Sequence, residues 1–146
     1  MLTLLLASSV LAARLLMLDP LPKLNICDVR TYDIAEHTGH SFATIPGACP
    51  QRVVVHPRTL EVFYHRDGAT FAVIGKGAPR FLGKTQARDW VGELKLPGPL
   101  WDTRTLSSTH SKSKRYVLKA GGRLHRTDTG EWVMTFENAP LIVWLP

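Results

Sequence analysis

The sequence predicts an α+β chain: a small, mainly antiparallel β domain with one or two helices, preceded by an apolar N-terminal helix. Three observations carry this expectation. Residues 1–18 are dominated by Leu, Ala and Met and hold a single charge, Arg14. From residue 51 onward, short β-branched and aromatic runs alternate with Gly, Pro and Asp turn signals. The length of 146 residues, 45% hydrophobic and 21% charged, suffices for one ordinary domain.

Residues 1–18 (MLTLLLASSVLAARLLML) favour helix by composition, and Pro20 opposes its continuation. The run is slightly short for a bilayer span, but Arg14 sits near its end, where a long side chain can snorkel to the headgroups. A secretory signal normally has a basic stretch before its apolar core, which is missing here, and a mitochondrial presequence is richer in Arg. The segment therefore reads as a membrane anchor or a complex-buried helix, with Leu4, Leu5, Leu11 and Leu15 as its docking residues.

Residues 19–50 read as an irregular, Pro-containing linker, punctuated by Asp19-Pro20, Leu21-Pro22, Pro46-Gly47 and Cys49-Pro50. Residues 51–146 read as the β-rich domain. Arg52–His56 is a short β-branched run. Leu60–His65 and Thr70–Ile74 flank Asp67-Gly68, the strongest hairpin signal in the chain, and Leu60, Val62 and Tyr64 share one face. Lys84–Leu96 has helical spacing, with Trp90, Val91 and Leu94 on one side and Pro97-Gly98-Pro99 as a stop. Arg115–Lys119, Arg123–Arg126, Glu131–Phe136 and Leu141–Leu145 read as strands. The last of these has no polar residue, so both its faces should be covered.

The net charge of +6 is unevenly placed: residues 1–50 net −1 and residues 51–146 net +7. No acid lies between Asp102 and Asp128, a window holding Arg104, Lys112, Lys114, Arg115, Lys119, Arg123 and Arg126. Such a block calls for a counter-charge: anionic lipid headgroups, an acidic protein surface or RNA phosphate. It also reads as a solvated strand edge that discourages aggregation. Trp101, beside Pro97-Gly98-Pro99-Leu100, is a further docking candidate.

No catalytic set emerges. Ala78–Thr85 loosely matches a phosphate loop, but Pro79 lacks the amide such a cradle needs, and Phe81 and Leu82 are bulky. Asp128-Thr129-Gly130 has the composition of a polar turn more than of an acid-protease triplet. No His stands beside a Ser or Cys nucleophile in a strand-turn-helix setting. Cys27, His37, His40 and Cys49 admit three readings: a tetrahedral metal site, a Cys27–Cys49 disulfide, or two free thiols. No cofactor is expected.

The expected function is that of a non-enzymatic accessory subunit of a large membrane-associated assembly. A respiratory or ATP synthase complex of the mitochondrial inner membrane is the concrete version. Its partners would be other subunits and anionic lipid. The alternatives are a mitochondrial ribosomal or other RNA-bound subunit, and a small exported enzyme with an N-terminal signal segment.

Overall fold

A computed structural model describes residues 13–146. Among the described residues, twelve strands form three antiparallel sheets, with one α-helix of four residues and a 3-10 turn at Pro22–Leu24. The first sheet holds β1 (Arg14–Leu21), β2 (Ile26–Asp33), β3 (Thr38–Pro46) and β12 (Leu141–Trp144), in the order β12-β1-β2-β3. The second holds β4 (Val53–Val55), β5 (Val62–Arg66), β6 (Ala69–Val73), β7 (Arg80–Lys84) and β8 (Trp101–Asp102), in the order β7-β6-β5-β4-β8. The third holds β9 (Tyr116–Lys119), β10 (Arg123–Arg126) and β11 (Trp132–Thr135), with β10 central. The helix, α1, spans Trp90–Glu93.

Alternation along the strands explains how these pieces stack. In β1, Leu16 and Leu18 join a core shared with Val53, Val55, Val62 and Tyr64 of the second sheet. Leu15 and Met17 point the other way, into a core shared with Leu124 and Phe136 beside the third sheet. On the far side of the second sheet, Val54, Phe63 and Ala72 pack against Trp90. The layers therefore run third sheet, first sheet, second sheet, α1. Successive side chains of a strand point to opposite faces, so a strand in an inner layer must be apolar on both.

That requirement corrects the N-terminal expectation. Arg14–Leu21 is a strand, not the end of a helix, and residues 1–12, with Leu4, Leu5 and Leu11, lie outside the described residues. A strand buried on both faces has lost its period-two signature, and a continuous apolar run reads equally as helix. The linker expectation for 19–50 is also corrected, because β2 and β3 occupy most of that range. The strand prolines of this range sit near ends: Pro20 close to the end of β1, opposite Cys27, and Pro46 at the end of β3, opposite Ile26. β12 meets the expectation that both its faces are covered, with Val143 in one core and Trp144 in the other.

The central hairpin forms where Asp67-Gly68 places it. Asp67 (φ 53°) and Gly68 (φ 74°) both take positive φ, as a two-residue primed turn requires. The expected Lys84–Leu96 helix shrinks to α1, since Lys84 completes β7 and Lys95 (φ 48°) ends the helical path. Its apolar stripe survives: Trp90, Val91 and Leu94 all pack on the second sheet. Gly122 (φ 75°) is needed where β10 begins. A Cβ there would lie 2.4 Å from the Phe136 carbonyl oxygen.

Cys27, fully buried on β2, is bonded to Cys49, with 4.9 Å between their Cα atoms. This selects the disulfide from the three readings of the cysteines. The Arg66 guanidinium donates to the carbonyls of Pro46 and Ala48, pinning the same connection to β5.

Candidate functional site

The register of the third sheet sorts its side chains. Leu124, fully buried, pairs with Leu118 and Met134, so these three face the core. The alternate pairs, Arg123 with Lys119 and His125 with Val117, face outward. The Thr127 amide donates to the Arg115 carbonyl (2.9 Å), continuing the ladder and placing Arg115 on the same outer face. Trp132 pairs with His125 and is 58% exposed, its Nε1 donating to Thr135 Oγ1 at 2.9 Å.

This outer face is electrostatically unfinished. Arg123 and Lys119 stand directly opposite one another, and like charges so placed destabilise a sheet. Among the described residues, neither they nor Arg115 has an acidic partner within 4 Å. Among the described residues, the Arg123 side chain donates only to the Ala120 carbonyl. An exposed tryptophan flanked by unneutralised bases is a surface suited to an anionic partner with an apolar layer beneath it.

The remaining residues of the basic window separate from this face. Arg126 is paired with Asp128 at 2.8 Å, and the bond holds the Asp128 carboxyl below its usual range. Asp128-Thr129-Gly130 is the turn between β10 and β11, with Gly130 at φ 72°. Lys112 and Lys114 lie in the loop before β9, beside the C-terminal Trp144, Leu145 and Pro146, where a depression of about 360 Å³ opens. Arg104 lies in the turn that follows β8, its amide donating to Asp102. Leu15 is fully buried and offers no docking surface, a correction imposed by the covering third sheet. Trp101 is half-buried against the main core. Ala78–Thr85 becomes β7 and its flanks, an exposed edge strand with no phosphate cradle.

A second group of polar residues gathers on the α1 side of the second sheet. His65 pairs with Thr70, Arg52 precedes β4 and Arg104 follows β8, and Arg52, His65 and Arg104 line one cleft. Arg52 donates twice to Asp102, at 2.9 and 2.5 Å, and its guanidinium lies 5.7 Å from the Trp90 ring centroid. His65 stacks on Trp90 with 6.3 Å between centroids, and its Nε2 donates to the Thr85 carbonyl at 3.0 Å. Burial pushes the Asp102 carboxyl up, but the hydrogen bonds from Arg52 and the Arg104 amide more than reverse this, holding it below the usual carboxylate range. The sequence hid this group because its members are up to 52 residues apart. Only the folded sheet brings them together.

Among the described residues, no three His, Cys, Asp or Glu side chains are grouped to hold a metal ion. Among the same residues, no helix is long and apolar enough to cross a membrane. No family model, curated protein or solved structure matches the chain.

Proposed function

We propose that the protein is a non-enzymatic accessory subunit of a membrane-associated assembly, and that the outer face of β9–β11 meets anionic lipid headgroups. The observation that carries the reading is the row of Arg115, Lys119 and Arg123 beside the exposed Trp132. Each base near an anionic bilayer contributes about 1 kcal/mol, so three contribute roughly 3 kcal/mol, or about a hundredfold in affinity. Trp132 adds an indole of the kind that settles at headgroup level. The Cys27–Cys49 bond supports an oxidising compartment. The intermembrane-space side of the mitochondrial inner membrane, with its anionic cardiolipin-type lipids, fits both features. The same bond weighs against a ribosome in a reducing compartment.

The test is sedimentation of the full chain with cardiolipin-containing vesicles and with neutral vesicles. Binding to the anionic vesicles alone is expected, falling about a hundredfold in the triple variant Arg115→Gln, Lys119→Gln, Arg123→Gln. Equal binding to both vesicle types, or an unaffected triple variant, would refute the lipid contact. Tighter binding to RNA than to vesicles at equal salt would transfer the face to the ribosomal alternative. Release of the native chain from cells as a monomer without detergent would remove the assembly.

A further inference from the structure

We infer that the cleft between α1 and the second sheet is a binding site for a small soluble phosphate-type anion, separate from the lipid-facing surface. The cleft is open to solvent and measures about 490 Å³, within the range of small-ligand sites. Gln51, Arg52, His65 and Arg104 supply its polar lining, and Trp90 closes one wall.

Three features make this more than a polar depression. First, Arg52 and Arg104 both line the cleft, and the one carboxylate beside them, Asp102, is ion-paired to the Arg52 guanidinium while accepting only the backbone amide of Arg104. With Asp102 paired to Arg52 and, among the described residues, no acidic partner within 4 Å of the Arg104 guanidinium, the pair of arginines leaves a net positive charge that an anion would neutralise. Second, the Arg52 guanidinium is already immobilised. Its Nε and one terminal nitrogen are committed to Asp102 and its plane rests near Trp90, so little side-chain freedom is left to lose on binding. Its second terminal nitrogen makes no hydrogen bond among the described residues, and Arg104 contributes a second, exposed fork. Third, the bond from His65 Nε2 to the Thr85 carbonyl fixes its tautomer, because a carbonyl only accepts. Nδ1 of the neutral ring is then the acceptor, able to receive a hydrogen bond from the P–O–H of a monohydrogen phosphate while the guanidiniums donate to its other oxygens. A fully ionised carboxylate ligand has no such hydrogen to donate. The combination of two arginine donors and one histidine acceptor therefore selects a partly protonated oxyanion.

Trp90 is 3% exposed, so it shapes the wall and offers no free face for a base to stack on. The site therefore reads the phosphoryl group itself, as inorganic phosphate or a small phosphate monoester. The anion would also relieve the repulsion between the two arginines and bridge the second sheet to the 104 loop.

The experiment titrates the oxidised full-length protein with inorganic phosphate at low salt, followed by amide and side-chain NMR shifts. Saturable shifts confined to Gln51, Arg52, His65 and Arg104 are expected. Arg104→Ala, at an exposed position whose backbone bond to Asp102 is kept, should weaken binding at least about tenfold. Arg123→Ala, on the other sheet, should leave it unchanged. Absence of saturation up to about 10 mM phosphate, or identical titrations of wild type and Arg104→Ala, would overturn the inference. So would a carboxylate such as acetate binding as well as phosphate. Displacement of the protein from anionic vesicles by phosphate would reassign the cleft to a lipid headgroup, which also overturns a soluble ligand. The lipid reading stands or falls separately, on the triple variant of the third sheet.

Discussion

Breaking the Cys27–Cys49 bond should cost the fold about 3 kcal/mol. The bond closes a loop with a sequence separation of 22. In the chain-entropy relation a loop of that size restricts the unfolded chain by about 11 cal/mol/K, or about 3.4 kcal/mol at 25 °C. A chain of 146 residues unfolds with an entropy near 0.3 kcal/mol/K, so the melting temperature should fall by roughly 11 °C. Two samples separate the cross-link from the sulfur atoms. Wild type unfolded and refolded under reductant keeps both side chains and loses only the bond. The double variant Cys27→Ala, Cys49→Ala also leaves a small void at Cys27, which is fully buried, and should melt lower still. Circular-dichroism melts of the oxidised, reduced and double-variant proteins read the three values, with alkylation and mass measurement reporting the thiol state. Oxidised and reduced wild type melting within about 3 °C of one another would refute the reasoning. The constraint would then be redundant with the β2–β3 pairing.

Two further outcomes test the layers. Asp102→Asn should destabilise the neutral protein by about 1–3 kcal/mol, because it removes the charge-assisted bonds to Arg52. Asp102 titrates lower in the folded chain than its ordinary value near 4, so its contribution is full above about pH 4 and fades as pH falls through the folded value. Denaturant midpoints of variant and wild type should therefore converge on acidification, and a gap of constant size from pH 6 to pH 3 would refute the pairing. Leu16→Ala should cost about 2–5 kcal/mol in urea unfolding, as expected for a fully enclosed leucine. A loss below about 1 kcal/mol would mean that β1 is not an inner-layer strand.

The electrostatic findings and the layer order are connected. The third sheet spends its inner face covering β1 and β12, which leaves its outer face free to carry Arg115, Lys119, Arg123 and Trp132 together. The second sheet spends one face on the main core, while the other is only partly closed by a four-residue helix. The cleft is what so short a helix leaves uncovered.

Local chemistry made some elements plain from the residues alone. Asp67-Gly68 imposes a turn by backbone preference, and the runs on either side have nowhere to go but antiparallel. Val53–Val55, Arg123–Arg126 and Leu141–Trp144 were legible from β-branched or alternating composition, as was the uneven placement of the +6 charge. What tertiary structure alone decided was direction and distance. Whether Leu15–Leu18 is helix or strand depends on whether a sheet lies on each side of it, and the sheets that cover it come from residues up to about 120 positions later. Whether a base is free or paired depends on register: Lys119 meets Arg123, while two residues beyond Arg126 an aspartate folds back on it. The cysteine pair admitted three chemistries until β2 and the end of β3 brought the two within 4.9 Å between Cα atoms. Composition and turn preference act over a few residues and so are written in the order of the chain. Burial, charge pairing and cross-linking act through space, and become defined only once the sheets have stacked.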